Sequence, residues 1–116
     1  MQADNIKDQV VEVLDDLKAL NILPLDVRDL TSITDYMVIA SGTSDRHIRS
    51  MASKVAEELK KSGYKQLGVE GEAEGEWVLV DFGDVIVHIM LPQAREFYKL
   101  ENLWDIDNKE EREQAE

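Results

Sequence analysis

The stretch WVLVDFGDVIVHIML, from Trp77 to Leu91, constrains the fold more than any other part of this chain. Its two apolar runs, parted by Gly83-Asp84, carry the pattern of a β-hairpin closed by a tight turn. That turn sets the register. Phe82 falls opposite Val85, Val80 opposite Val87 and Val78 opposite Ile89, and this wholly apolar face must lie against helices. On the other face Asp81 falls opposite Ile86, Leu79 opposite His88 and Trp77 opposite Met90. A tryptophan, a histidine and a carboxylate among aliphatic residues suit a surface that meets a partner better than a sealed interior.

The rest of the chain supplies what the hairpin needs. Ile6, Val10, Val13, Leu14, Leu17 and Leu20 follow helical spacing, so a first helix is expected from a cap at Asp4 or Asn5 to about Asn21, ahead of Pro24. Leu25 to Leu30 is expected as a strand near a sheet edge because of its three charges. Tyr36 to Ala40 is a continuous apolar run, as in a strand covered on both faces. The turn Ser41-Gly42-Thr43-Ser44 leads into a second helix with Ile48, Met51, Ala52, Val55 and Leu59 on one stripe and Gly63 as its stop. Tyr64 to Glu70 is a weaker strand. After the polar loop Gly71 to Gly75 and the hairpin, Pro92 opens a third helix over QAREFYKLENLW, with Phe97, Leu100 and Trp104 as the stripe that packs on the sheet. Arg95 and Tyr98, three residues apart, flank one another on a different face. The expected fold class is α/β: a single domain with a mixed five-stranded sheet and flanking helices, packed mainly on one face so that part of the other stays free.

Composition excludes several functions. The chain has no cysteine, which removes disulfides, thiolate metal sites and thiol catalysis. Its longest apolar runs reach roughly half of a bilayer span, and MQADNIKDQ lacks a basic region followed by an apolar one, so a cytoplasmic protein with no membrane partner is expected. Twenty-five acidic against thirteen basic side chains give a formal charge of −12. Such a field repels nucleic-acid phosphates and speeds encounter with a basic partner. Residues 105–116, DIDNKEEREQAE, carry six acids and two bases and are expected to form an acidic, flexible tail beyond a domain at 1–104.

No active site emerges from the residues. The Ser41 to Ser44 turn stands where phosphates often dock on backbone N–H groups, but it lacks the lysine and spacing of a P-loop and also makes an ordinary helix cap. A turn of this kind in a small mixed sheet is similar to the nucleotidyltransferase fold, whose chemistry needs carboxylates converging on metal ions shortly after the turn. Here the next acids, Glu57 and Glu58, come at the far end of a helix. Asp84 sits in a turn and Asp81 within a strand, so they do not converge. His47 and His88 lie on separate elements with no metal-ligand spacing. No catalytic residue, cofactor or metal is expected.

Three separated segments carry a family resemblance: TSITDYMVIASGTSDRHIRSMA, GVEGEAEGEWVLVDFGDVIVHIM and REFYKLENLW, in unbroken register from about Asp15 to Trp104. They resemble the Iojap, or ribosomal silencing factor, family. The resemblance implies a nucleotidyltransferase-like sheet without catalytic carboxylates, reused for binding. It further implies a translational repressor that binds ribosomal protein L14 (uL14) of the large subunit and blocks small-subunit joining under nutrient limitation and in stationary phase. The protein-binding residues expected on that footing are Trp77, as the anchor, with Leu79, His88 and Met90 around it and Asp81, Arg95 and Tyr98 as polar contacts. The alternatives are a nucleotidyltransferase-like nucleotide-binding protein or enzyme, and homodimerisation through the Trp77 face.

Overall fold

The structure, a computed structural model, describes residues 2–99. Eight elements follow one another: α1 (Gln2–Asp16), β1 (Leu20–Asp26), β2 (Tyr36–Ser41), α2 (Asp45–Lys61), β3 (Gly68–Glu70), β4 (Trp77–Asp81), β5 (Val85–Met90) and α3 (Pro92–Tyr98). The strands form one mixed sheet in the order β1-β2-β5-β4-β3. Among these strands β2 and β5 run parallel, and the other neighbours are antiparallel. The α/β fold with a mixed five-stranded sheet is therefore the one the sequence predicts.

The hairpin register is also the predicted one: Trp77 pairs with Met90, Val78 with Ile89, Leu79 with His88, Val80 with Val87 and Asp81 with Ile86. Phe82 N–H donates to Val85 O at 2.9 Å, and Gly83 takes a φ of 84° that a side chain would resist. β2 is buried along its whole length, as its unbroken apolar run requires. One face of the sheet (Tyr36, Val38, Ala40, Val78, Val80, Val85, Val87, Ile89) packs against Ile6, Val10 and Leu14 of α1 and Ile48, Met51, Val55 and Leu59 of α2. A second, smaller cluster lies on the opposite face: Val27, Met37, Ile39 and Met90, joined by Leu25, Trp77 and Ala94 of α3.

Helix ends explain where the expected boundaries move. α2 begins with Ser44 Oγ accepting His47 N–H at 3.1 Å. It stops at Gly63, where Gly63 N–H bonds Lys60 O and Tyr64 N–H bonds Leu59 O, the paired bonds of a Schellman cap. α1 ends the same way, at Asp16 rather than near Asn21. Lys18 N–H bonds Asp15 O, Ala19 N–H bonds Leu14 O, and Lys18 itself adopts the left-handed φ of 63° usually left to glycine. With the helix ended there, the first strand runs through Leu20–Asp26 rather than Leu25 to Leu30. It lies at a sheet edge, as expected, although of the three charges behind that expectation only Asp26 falls within the strand, and this position tolerates Pro24 because an outward N–H is not needed. β3 is shorter than the expected Tyr64 to Glu70.

α3 departs most from expectation. It closes at Tyr98, with Lys99 in the left-handed region at φ 48°. Phe97 is 79% exposed and does not pack on the sheet. The other members of its expected stripe, Leu100 and Trp104, and the expected acidic tail at 105–116 lie outside the described residues.

Candidate docking face

The strand alternation places Trp77, Leu79 and Asp81 of β4 beside Ile86, His88 and Met90 of β5, on the sheet face turned away from α1 and α2. The upper end of this face is covered by α3 and by Val27; its lower part is open, and Leu79, Asp81 and Ile86 are half-buried there.

At the upper end, Trp77 joins three elements. Its indole Nε1–H donates to Nδ1 of His88 at 2.9 Å. Tyr98 of α3 lies on the other side, with ring centroids 4.8 Å apart, and Phe97 meets Tyr98 edge-on at 5.0 Å. Tilted and edge-on arrangements are those aromatic quadrupoles favour. Tyr98 is 52% exposed, so the sequence Trp77–Tyr98–Phe97 forms a ridge that starts in the sheet and ends in solvent.

His88 is buried beneath this ridge. An indole N–H can only donate, so Nδ1 must be the bare acceptor and the ring proton resides on Nε2. Burial reinforces this state by pushing the His88 pKa down to about 4, since the imidazolium would lose its hydration without gaining a partner. His88 is thus a neutral strut under Trp77.

The expected site residues divide into three groups. Trp77, Leu79 and Tyr98 are brought together with accessible surface. Asp81 shares the face but is built into the hairpin, its Oδ1 accepting Gly83 N–H at 2.7 Å. Met90 and His88 are corrected from surface contacts to supports: Met90 is fully buried among Val27, Met37 and Ile39, because α3 seals that end of the sheet. Arg95 is half-buried and is held by the protein itself. Its Nη1 donates to Asn21 O at 2.7 Å and to Ser41 Oγ at 3.2 Å, tying α3 to β1 and β2. Arg95 and Tyr98 therefore fasten a helix that has no fully buried residue of its own to different strands, Arg95 to the β1–β2 side and Tyr98 to β4. Phe97 and Ile86 belong to the surface beyond the expected set. Ile86 carries the same alternation signal as His88, whereas Phe97 is hidden in the sequence by its fit to a helical core stripe.

The Ser41 to Ser44 turn is already occupied by the protein's own groups. Gly42 N–H bonds Met90 O, Thr43 N–H bonds His47 Nδ1, and Ser41 Oγ receives Arg95. His47 Nε2 bonds Leu17 O at 2.8 Å, so both ring nitrogens join helix ends. A Cβ at Gly42 would come within 2.8 Å of Ile48 and Met51, so the turn is packed against the helix with no room for a phosphate on that side. Among the described residues, no three His, Asp or Glu side chains converge as a metal site. No described helix is long and apolar enough to cross a membrane.

Comparison with known proteins agrees in sequence and in fold. A family model described as "Ribosomal silencing factor during starvation" matches residues 1–116. The ribosomal silencing factor RsfS of Haemophilus influenzae is 47% identical over 95 residues, covering 82% of this chain and 93% of its own. The mouse protein named "Mitochondrial assembly of ribosomal large subunit protein 1" is 38% identical over 102 residues, covering 85% of this chain and 45% of its own. A crystal structure of a Chromobacterium violaceum protein superposes with a TM-score of 0.87 at 43% identity, covering 90% of this chain and 87% of that one.

Proposed function

The chain belongs to the ribosomal silencing factor family, and from that premise we propose that it is a translational repressor acting on the large ribosomal subunit. It docks on ribosomal protein uL14 through the open sheet face and occupies the ground where the small subunit would join. The observation that carries this reading is the aromatic ridge. Tryptophan and tyrosine dominate the energetics of protein interfaces, and here they stand over a rigid sheet on an otherwise strongly acidic molecule.

A blocking protein needs no chemistry, only a rigid contact patch and enough residence time to keep a competitor away. The ridge supplies flat apolar area whose orientation is set before binding by His88 and α3, so little conformational freedom is lost on docking. Leu79 and Ile86 extend the patch down the face. The charge of −12 favours approach to basic ribosomal proteins and opposes unspecific attachment to rRNA. Names of the family and its members support the ribosomal partner: the family description and the Haemophilus influenzae protein's name speak of ribosomal silencing, and the mouse protein's name of large-subunit assembly. The protein is, on this reading, a cytoplasmic regulator with no enzymatic step. The hydrogen bonds already made by the Gly42 and Thr43 N–H groups speak against the nucleotide-binding alternative.

Calorimetry with isolated uL14 tests the docking surface. Trp77→Ala should weaken binding by about 2 kcal/mol or more, as expected of a central anchor. A folded Trp77→Ala protein that binds uL14 as well as the parent would remove this face from the interface. Titration with nucleoside triphosphates and Mg²⁺ tests the alternative, which requires heat that disappears in Ser44→Ala. Light scattering across a concentration series shows whether a second copy uses the same face.

A further inference from the structure

We propose that Arg49, on the helical side of the sheet, is a positioning residue for Trp77. This rests on the docking face assigned above and adds the device that holds it.

The loop between β3 and β4 must deliver Trp77 to the ridge, and it has little structure of its own. Gly75 N–H bonds Gly71 O at 3.0 Å, closing a turn that contains the carbonyls of Glu72 and Ala73. Arg49 of α2 takes both. Its Nε–H donates to Glu72 O at 2.7 Å and its Nη2 to Ala73 O at 2.9 Å, while Nη1 pairs with Asp45 Oδ2 at 3.1 Å. One planar guanidinium thus satisfies two loop carbonyls and is itself held by a carboxylate one helical turn away. The loop is drawn down until there is no space left. A Cβ at Gly75 would lie 2.7 Å from Asp45 Cβ and 3.0 Å from Arg49 Nη2, and a Cβ at Gly71 would lie 2.0 Å from Trp77 O. The chain of contact therefore runs from Arg49 to the loop carbonyls, through the Gly71–Gly75 closure, to the Trp77 backbone. At the far end of the loop, Leu91 N–H bonds Glu76 O at 2.9 Å and locks the same segment to the end of β5. Arg49 never reaches the docking face, yet it sets the residue on which that face depends. A lysine cannot replace it, because a single ammonium cannot hold the same fork of three acceptors in one plane.

The experiment combines indole NMR with a double-mutant cycle on the full chain. In Arg49→Lys and in Arg49→Gln, the ¹⁵N–¹H indole signal of Trp77 should shift and its N–H should exchange faster; an unshifted signal in both folded variants overturns the proposal. Binding to large subunits should weaken at least about threefold in Arg49→Lys, and by less than in Trp77→Ala. In a Trp77→Ala background Arg49→Lys should have no further effect. Equal losses in the two backgrounds would mean that Arg49 acts on the partner or on overall stability, which also overturns the proposal. If Trp77→Ala alone leaves binding unchanged, the docking-face assignment fails, while the indole signal still decides whether Arg49 positions Trp77.

Discussion

Across the β4–β5 pair, the Trp77 indole N–H donates to His88 Nδ1 at 2.9 Å, and this bond admits only an uncharged imidazole. The tryptophan expected to anchor binding is therefore oriented by a buried histidine that must stay neutral. The two residues form one unit, and acid should act on both.

The sign follows from the two states. The folded His88 pKa, about 4, lies below the value of 6.5 expected of an unfolded chain. Stability from this site is complete above pH 6.5 and declines as pH falls from 6.5 toward 4, because the unfolded chain takes up a proton that the folded one refuses. At pH 5.5 the loss should be about 1.3 kcal/mol relative to pH 7.5. Urea unfolding at the two pH values measures it, and His88→Asn, which keeps an acceptor near the Nδ1 position, should remove that part of the slope. An equal slope in the variant would contradict the assignment.

Trp77→Phe separates the ring from its hydrogen bond. It keeps an aromatic against Tyr98 but leaves His88 Nδ1 without a donor in a buried place, which should cost about 1–3 kcal/mol of stability. Thermal unfolding reads this out. A variant as stable as the parent would mean that the bond contributes nothing net.

Much of this site is legible in the sequence, and the reasons are local. Gly83-Asp84 between alternating apolar runs determines every pair of the hairpin, and with them the residues that share a face with Trp77. What alternation cannot tell is which part of a face is covered. Met90 and Leu79 have the same parity; one is sealed by α3 and the Val27 segment, the other is half-open, and that difference arises from contacts distant in the chain. Phe97 fits a helical stripe that the structure does not bury, because α3 stops one residue later at Tyr98. Arg95 and Tyr98 sit three apart, as neighbours on one helix, yet their side chains go to different strands, a division set by the partners Asn21, Ser41 and Trp77 rather than by spacing.

The early end of α1 was hidden for a different reason, and it can be tested. Lys18 occupies the left-handed position of a Schellman cap, where a side chain is strained. Lys18→Gly should therefore stabilise the protein by about 0.5–1 kcal/mol, against the usual cost of introducing glycine. A lowered urea midpoint would show that the backbone at this position is not under strain.

Two glycines give a matched comparison of backbone strain with and without a clash. Gly63 has a φ of 94° with nothing near an added methyl group, whereas at Gly71, with a φ of 88°, the methyl would meet Trp77 O at 2.0 Å. Gly63→Ala should cost about 1 kcal/mol, and Gly71→Ala about 3 kcal/mol or more, since the loop must also move. Only the second should alter Trp77 fluorescence in a Trp104→Phe background.

Exclusion of the small subunit by this face is tested most directly by sedimentation of the protein with purified large subunits while small subunits are titrated in. Co-sedimentation with free large subunits is predicted, together with a reduced yield of joined ribosomes and recovery of joining when Trp77 is replaced by alanine. Equal binding of the protein to free large subunits and to already joined ribosomes would contradict it.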